Sequence, residues 1–275
     1  MKYQRILTIQ DISCIGQCSM TVALPILSAC GIETAVLPSA VLSTHTGGFK
    51  GYTFRDLTDD MPAIAQHWKT EKLRFSAVYT GYLGSQRQIN YVKEIVASLC
   101  KPEGLLIVDP AMADNGKLYV GFDDDFVAEM KTLCAEADYL LPNITEACLL
   151  TGIPYREIYD HAYIEALLSA LAFHPQQTLI LTGVSFDSAS TGVMIYRNGT
   201  SEYYCHRKIS AGCHGTGDVY ASAFTGALLH GKTPCEAAKI AADFTVRCIE
   251  YTNDDPTHWY GVKFEPILPE LIRAL

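Results

Sequence analysis

The sequence predicts an α/β fold that is built around a mostly parallel sheet. Short apolar runs of strand length alternate with amphipathic stretches of helical length, and this alternation is typical of right-handed βαβ units. Hydrophobic residues make up 49% of the 275 residues and charged residues 19%, so the chain can bury a large core. No linker or break in composition divides the sequence. We therefore expect a single domain over residues 1–275.

The first half of the chain opens with a buried strand and continues as alternating helices and strands. Its predicted elements are a strand over 5–10, a helix over 19–30, strands over 34–42 and 77–83, helices over 62–70 and 85–99, and a strand over 105–108. Gly31 is a natural end for the first helix, although Pro25 removes one of its hydrogen bonds. Ser85 and Gln88 have the spacing of a capping box at a helix start.

The second half keeps the alternation and adds a hairpin. Its predicted elements are helices over 125–134 and 164–173, a helix that ends at Thr151, strands over 139–141, 178–182, 192–196 and 202–207, and helices over 218–230 and 234–250. Asn198 and Gly199 form the dipeptide that most strongly predicts a tight hairpin turn. Thr233 and Glu236 complete a capping box around Pro234 at the start of the last helix.

The charge and the cysteines exclude several classes of protein. Lys and Arg total 21 against 30 Asp and Glu, a formal net charge of −9, which excludes a nonspecific nucleic-acid binder and a polybasic membrane-surface protein. An anionic substrate therefore needs a local binding device. The ten cysteines contain no C-x-x-C pair, and no apolar run approaches the roughly 18 residues of a membrane helix. We expect a cytoplasmic protein with reduced thiols and with neither nucleic-acid nor membrane partners.

A glycine-rich turn before a helix is the first candidate site. Gly215, Thr216 and Gly217 precede Asp218 at the start of the helix over 218–230. Glycines at a helix N-terminus let backbone N–H groups approach an anion, and Asp218 then lies where it can face a hydroxyl group. The alternative is a plain turn in which Thr216 or Asp218 caps the helix. The helix end is expected to lower the pKa of Asp218.

Three further segments carry polar side chains at predicted strand ends. Asn143 and Glu146 have capping-box spacing, and they also suit a magnesium and phosphate site, since Mg²⁺ prefers oxygen ligands. Asp109 ends a buried strand before Pro110, where it either caps the turn or faces a ligand. Asp11 ends the first strand and is either a turn residue or a ligand.

The polar segment from Ser43 to Gly51 is too long for a tight turn and too polar to bury. We interpret it as part of a mobile flap over about 43–56, with His45 exposed to solvent. We assign no role to Cys213 and His214. The phosphate-binding pattern G-x-x-x-x-G-K-[ST], the dinucleotide fingerprint after the first strand and the G-x-S-x-G elbow do not occur.

The order of these segments resembles the ribokinase-like superfamily and, within it, the vitamin B6 kinases. The resemblance rests on Thr-His-Thr-Gly at 44–47, the stretch 80–85, Asp109-Pro110, Pro-Asn-x-x-Glu at 142–146 and Gly-Thr-Gly-Asp at 215–218, and it spans nearly the whole chain. It implies a three-layer α/β/α fold with a mostly parallel central sheet and a substrate flap. It further implies ATP-dependent phosphorylation of the 5′-hydroxymethyl group of pyridoxal, pyridoxine or pyridoxamine, in salvage of pyridoxal 5′-phosphate.

The resemblance also implies a role for each candidate residue. Asp218 would be the catalytic base, with the anion hole formed by Gly215, Thr216 and Gly217. The ATP phosphates and Mg²⁺ would lie near Asp109, Asn143, Glu146 and Thr182, with Asp109 and Glu146 on the metal side. The vitamer would lie against Asp11, Thr46, Gly47 and Tyr82. ATP and Mg²⁺ are the implied cofactors, a monovalent cation is a further candidate, and a homodimer is the implied assembly.

One departure leaves the ring system open. Pyridoxal kinases carry a serine and a histidine after the first strand, whereas this chain has Asp11 and Ile12. Hydroxymethylpyrimidine kinases of the same superfamily place an aspartate near this point, and an aspartate suits a ring nitrogen or an amine. The alternatives are therefore a hydroxymethylpyrimidine or hydroxymethylpyrimidine-phosphate kinase of thiamine synthesis and a non-catalytic protein that binds a B6 vitamer or a nucleotide. A sugar kinase comes third.

Overall fold

A computed structural model describes residues 3–209, 213–255 and 257–275. The strands are β1 Arg5–Ser13, β2 Glu33–Leu42, β3 Phe54–Asp56, β4 Phe75–Thr80, β5 Cys100–Val108, β6 Ala113–Asp114, β7 Lys117–Leu118, β8 Tyr139–Leu140, β9 Thr178–Val184, β10 Ser190–Arg197 and β11 Thr200–Arg207. The helices are α1 Met20–Ala29, α2 Met61–Thr70, α3 Gln86–Leu99, α4 Asp124–Glu136, α5 Ile144–Thr151, α6 His161–Leu171, α7 Thr216–Leu229, α8 Pro234–Asn253 and α9 Leu268–Ala274.

The chain divides into two compact units, of which the first comprises residues up to Gly104 and from Ile209 onwards. Its strands lie in the order β4-β1-β2-β3, with β1 parallel to both neighbours and the short β3 antiparallel to β2. Helix α7 packs against α1 and α8. Ala237, Ala238 and Ala241 are buried on α8, and such small side chains allow a close approach of helices.

Strand β1 runs three residues beyond its predicted end, and this places Asp11 inside the strand. The pairing with β2 shifts register between Gln10 and Ile12, just after Gln10 lies opposite Pro38. Proline has no N–H to donate, so the ladder is interrupted there and resumes at Val41. Residues 6–11 are all buried, as expected for a strand with neighbours on both sides and helices against the sheet.

The second unit comprises Leu105–Lys208. Its strand order is β11-β10-β9-β8-β5, in which β5, β8 and β9 are parallel and β9, β10 and β11 form an antiparallel meander. The predicted hairpin turn is confirmed, since Asn198 and Gly199 both have positive φ, 52° and 76°. A smaller hairpin joins β6 to β7 through Asn115 and Gly116, which have φ of 50° and 75°.

The prediction of a mostly parallel sheet with flanking helices is confirmed. The strands joined through helices pair in parallel, and the antiparallel pairs are those of β3 and of the meander. The single-domain organisation stays a prediction. Across residues 3–209, 213–255 and 257–275, no helix is both long enough and apolar enough to span a bilayer.

Candidate active site

The turn before α7 is shaped by close backbone packing. Gly215 is the N-cap residue of α7 with φ of 78°, and a Cβ at this position would collide with the backbone oxygen of Gln17. The helix starts at Thr216, two residues earlier than predicted, and no side chain caps it. The alternative of a side-chain cap by Thr216 or Asp218 is therefore wrong. The backbone N–H groups in the first turn of α7 therefore have the arrangement that suits the binding of an anion.

Asp218 lies in the first turn of α7 and has a pKa close to neutrality. Burial raises the pKa of Asp218 to about 7, and the negative charge of Asp11 acts in the same direction, whereas the nearby Ser19 backbone N–H opposes both. The prediction that the N-terminus of the helix lowers the pKa of Asp218 is wrong, because the loss of hydration has the larger effect. A carboxylate with this pKa can accept a proton from a hydroxyl group near pH 7.

Asp11 is a buried carboxylate of the first unit, whereas Asp218 is half-buried. It is 5% exposed, and the Ser13 hydroxyl donates to its Oδ2 atom at 2.8 Å. Burial raises the pKa of Asp11, although the nearby Ser19 and Ser13 side chains favour its charged form. Tyr82 lies near enough to Asp11 that the carboxylate, together with burial, raises the pKa of the phenol to about 12. The charge of Asp11 thus influences two other predicted site residues, Tyr82 and Asp218.

His45 is buried, which corrects the expectation of a solvent-exposed flap histidine. It is 5% exposed, its Nδ1 atom accepts a hydrogen bond from Gly47 N–H at 3.0 Å, and its Nε2 atom lies 2.7 Å from the Tyr260 backbone oxygen. Since Nδ1 accepts, Nε2 carries the proton and donates it to the carbonyl. Burial lowers the pKa of His45, which favours this neutral tautomer. A Cβ at Gly16 would collide with the imidazole ring.

The flap packs against aromatic side chains of the C-terminal segment. The Phe49 ring lies 4.7 Å from the Trp259 ring, and a Cβ at Gly48 would approach the Trp259 ring to 2.8 Å. A Cβ at Gly47 would approach the His214 ring to 2.8 Å, so side chains are excluded at both glycines. Thr46 is exposed beside them. The mobility of the flap stays a prediction.

In the second unit, Asn143 and Glu146 form the predicted capping box. Asn143 Oδ1 accepts from the Glu146 N–H at 2.9 Å, and the Glu146 carboxylate accepts from the Asn143 N–H at 2.9 Å. Glu146 also accepts from the N–H groups of Met112 at 3.0 Å and Ala113 at 3.4 Å. Glu146 is 2% exposed, and burial raises its pKa above the usual value of a glutamate. The box therefore ties α5 to the segment after β5.

These contacts limit how Mg²⁺ would be held. Glu146 has its carboxylate occupied by backbone N–H groups, and Asp109 accepts from the Ala111 N–H at 3.2 Å in the predicted turn. In the part of the chain that the structure describes, no group of three or more His, Cys, Asp or Glu side chains is arranged to hold a metal ion. Mg²⁺ commonly binds through one carboxylate, several waters and substrate phosphates. The partly exposed Asp109 can supply that one carboxylate, whereas Glu146 fits a role in which it does not touch the metal directly.

Asn143 and Thr182 line a cavity of about 480 Å³ in the second unit. A β-bridge joins the two residues, and the Thr182 N–H donates to the Pro142 oxygen at 2.9 Å. Lys208 contributes a positive charge to the lining, with the Gly183 backbone beside Thr182. The cavity is mostly polar, and its other lining residues are Asp114, Asn115, Ile144, Thr145, Tyr155, Glu157, Ile158, Tyr159, Ser185, Phe186, Asp187 and Ser188.

Several residues around these groups were missed by sequence reasoning. The Ser13 hydroxyl donates to Asp11, but a serine at the end of a strand carries no distinctive signal. The segment after β5, which supplies N–H groups to Glu146, leads into the hairpin at Asn115 and Gly116. That Asn-Gly dipeptide is the same signal that identified the later hairpin, and it was available in the sequence.

Comparison with known proteins identifies the family. Residues 28–262 match the phosphomethylpyrimidine kinase family. The chain belongs to this family. A solved member from Bacteroides thetaiotaomicron, described as a phosphomethylpyrimidine kinase and crystallised with pyridoxal, is 36% identical, with a TM-score of 0.92 over 98% of this chain and 96% of that chain.

Two further relatives are named as vitamin B6 kinases. The pyridoxal kinase of Lactobacillus plantarum is 31% identical, with a TM-score of 0.91 over 98% of this chain and 97% of that chain. The pyridoxal kinase of Dictyostelium discoideum is 28% identical over 242 residues, which cover 81% of this chain and 77% of the relative. The resemblance to the ribokinase-like vitamin B6 kinases and the fold that it implied are confirmed.

Proposed function

We propose that this protein is an ATP-dependent kinase that phosphorylates the 5′-hydroxymethyl group of a vitamin B6 vitamer. The observation that carries the proposal is the position of Asp218 in the first turn of α7, directly after a glycine turn and in a helix that has no side-chain cap. Its raised pKa suits a base. Asp11 and Tyr82 accompany it in the same unit. The pyridoxal in the Bacteroides relative supports the acceptor class.

Asp218 acts as the base on the acceptor. It accepts the hydroxyl proton as the oxygen attacks the γ-phosphorus of ATP, and the bond from that phosphorus to the β–γ bridging oxygen breaks to release ADP. Backbone N–H groups at Gly215, Thr216 and Gly217 stabilise the charge on the transferred phosphoryl group. Phosphoryl transfer depends mainly on positioning and charge stabilisation, so a base of pKa about 7 is sufficient.

The nucleotide phosphates are assigned to the second unit. Thr182, Asn143 and Lys208 line its cavity and offer a hydroxyl, an amide and a positive charge. Mg²⁺, when bound, neutralises charge on the ATP phosphates, with Asp109 as its carboxylate partner. Glu146 holds the segment at Met112 and Ala113 in place. Asp114, Glu157 and Asp187 also line the cavity, so holding a polyanion there requires Mg²⁺ in addition to Lys208.

Asp11 is proposed to select the acceptor. A carboxylate beside Tyr82 suits a protonated ring nitrogen or the amine of pyridoxamine. The same feature keeps a hydroxymethylpyrimidine as the second candidate acceptor, in line with the family description. A homodimer in the cytoplasm stays a prediction from the resemblance to vitamin B6 kinases.

The decisive experiment measures ADP release from Mg-ATP with pyridoxal, pyridoxine, pyridoxamine and hydroxymethylpyrimidine in parallel. We expect release that depends on at least one B6 vitamer and that Asp218→Asn abolishes. Turnover on the pyrimidine alone would assign the protein to thiamine metabolism and would not change the role proposed for Asp218. Binding of vitamers without acceptor-dependent ADP release would support the non-catalytic alternative.

A further inference from the structure

The imidazole of His45 uses both of its ring nitrogens inside the first unit. Nδ1 accepts the Gly47 N–H at 3.0 Å, and Nε2 donates to the Tyr260 carbonyl at 2.7 Å. A buried imidazole needs a partner at each nitrogen, because a donor or acceptor without one has lost its hydrogen bonds to water. His45 and Tyr260 are 215 residues apart in the sequence. One side chain therefore joins the flap to the C-terminal segment.

The surroundings of the ring leave it little freedom to turn away from these partners. The backbone N–H of His45 donates to the Ile15 carbonyl at 3.1 Å, and a Cβ at Gly16 would collide with the ring. The Phe49 ring lies edge-on to the imidazole, with 5.1 Å between the centroids. The side chain is 5% exposed. The position of the ring is thus set by the turn after β1 and by the flap itself.

Gly47 is packed against a second imidazole as well. A Cβ at this position would lie 2.8 Å from the His214 ring and 3.3 Å from Nδ1 of His45, and the two rings are 5.2 Å apart. His214 directly precedes Gly215, the first residue of the proposed anion hole. The hydrogen bond between Gly47 and His45 therefore sets where the flap lies relative to the segment that leads into the glycine turn.

We propose that His45 is a positioning residue, which ties the turn at Thr46 and Gly47 to the Tyr260 carbonyl and so holds the flap where the acceptor binds. This inference rests on the proposed function, because Thr46 and Gly47 are proposed to contact the vitamer. It deepens that function by naming the side chain that fixes the flap. His45 acts on the acceptor through Gly47.

Two amide variants separate the two hydrogen bonds of the imidazole. In His45→Asn, the side-chain oxygen accepts the N–H two residues further on, as in an Asx turn, but the shorter side chain does not reach Tyr260. In His45→Gln, the longer amide donates to the Tyr260 carbonyl and leaves the Gly47 N–H without its acceptor. Each variant keeps one bond and loses the other.

The kinetic readout distinguishes the acceptor from the nucleotide. We expect the KM for the preferred vitamer to rise about tenfold in both His45 variants, the size of one lost hydrogen bond. The KM for ATP and kcat should stay within about threefold of wild type, since the flap is proposed to hold the acceptor alone. An unchanged vitamer KM in both variants, or an equal rise in the KM for ATP, would overturn the proposal.

His230→Gln is the matched control. A ring nitrogen of His230 lies 3.4 Å from the Cys30 carbonyl, so this half-buried histidine also contacts a backbone oxygen of the first unit, at the C-cap of α7. We expect its vitamer KM to stay within about threefold of wild type. A rise as large as that in the His45 variants would show that general loosening of the unit controls this KM, and it would also overturn the proposal.

A second measurement needs no turnover. Amide hydrogen exchange of Gly47, followed by NMR in the unliganded protein, reports on the bond to Nδ1. We expect exchange at least about tenfold slower than in a free peptide for wild type and His45→Asn, and faster exchange in His45→Gln. If neither variant folds, the wild-type rate still decides, because exchange as fast as in a free peptide contradicts the proposal. The result stands even if wild type phosphorylates no vitamer, an outcome that would end the proposed function alone.

Discussion

At the level of single residues, the protonation of Asp218 sets the expected pH dependence of the reaction. The base must be deprotonated to accept the hydroxyl proton, so kcat/KM is expected to fall as the pH drops below about 7. Asp218→Asn should lower kcat by at least about 100-fold and leave ATP binding largely unchanged. A pH–rate series with both proteins tests this. A wild-type profile that stays flat from pH 6 to 8 would remove the base assignment.

The ionised form of Asp218 is also expected to lower the free energy of unfolding. Its pKa is about 7 in the folded protein and about 3.9 in an unfolded chain, so folding favours the protonated form. Stability therefore falls as the pH rises from about 4 to 7, and the full penalty persists above pH 7. Asp218→Asn should raise Tm at pH 8 and lose this advantage near pH 4. Thermal melts across that range measure it, and a lower Tm for the variant at pH 8 would contradict the buried-charge explanation.

Asp11 is expected to govern which acceptor is preferred. Asp11→Asn keeps an acceptor for the Ser13 hydroxyl and removes the negative charge. The KM for pyridoxamine should rise about tenfold relative to that for pyridoxine, the size of one lost charge-assisted hydrogen bond. Parallel kinetics on the two vitamers give this ratio. Equal losses on both would remove the selective role.

Residue types were predictable from the sequence at this scale, but their protonation was not. Asp11 and Asp218 were identified by their places at the end of a strand and at the start of a helix, and Tyr82 was identified through the resemblance to vitamin B6 kinases. The pKa of Asp218 was predicted in the wrong direction, because only the folded structure shows that burial exceeds the effect of the helix end. Ser13 was missed for a related reason, since only the folded structure shows that its hydroxyl donates to Asp11.

At the level of elements, two capping boxes offer a matched comparison. Glu236 closes an exposed box at α8, whereas Glu146 closes a buried box and also binds the N–H groups of Met112 and Ala113. Glu146→Ala leaves buried donors without partners, so the free energy of unfolding should fall by about 2–3 kcal/mol. Glu236→Ala should have a smaller effect.

The two variants should also differ in their use of magnesium. Glu146→Ala should raise the Mg²⁺ concentration needed for half-maximal activity, because the segment beside Asp109 loses its anchor. Glu236→Ala should leave that titration unchanged. Chemical denaturation and Mg²⁺ titrations of both variants provide the comparison. An unchanged Mg²⁺ requirement in Glu146→Ala would show that Glu146 acts only as a helix cap.

Elements with a capping or turn signal were predicted well, and short exposed ones were not. The boxes at α5 and α8 are complete, but only half of the Ser85–Gln88 box forms. Gln88 instead donates to the Ser39 oxygen and the Thr58 hydroxyl, contacts that no local pattern encodes. Strand β3 was missed because its three residues are all exposed and have no alternating pattern.

At the level of the whole molecule, nucleotide binding should stabilise the fold. A ligand at about 100 times its Kd adds about 2.7 kcal/mol to the free energy of unfolding, which corresponds to several degrees in Tm for a chain of this size. Mg-ATP should produce this shift, and ATP with a chelator should produce a smaller one. Differential scanning fluorimetry measures both. Equal shifts with and without Mg²⁺ would argue that the metal does not contribute to nucleotide affinity.

The α/β class and the parallel pairing followed directly from the alternation of apolar runs. The composition excluded nucleic-acid and membrane-surface functions but said nothing about chemistry. The resemblance to vitamin B6 kinases rested on five short segments, and the similarity to pyridoxal kinases confirms it. The choice of acceptor was not predictable, because it depends on how Asp11 is solvated and paired within the fold.

The packing of Trp259 against the flap gives the protein an intrinsic fluorophore where motion is expected. The chain has two tryptophans, and the other, Trp68, lies on α2 against Phe75. In a Trp68→Phe protein, emission would come from Trp259 alone, whose ring faces Gly48 and Phe49. Its emission maximum and lifetime would then follow the flap in real time, without a label, as each vitamer is mixed in.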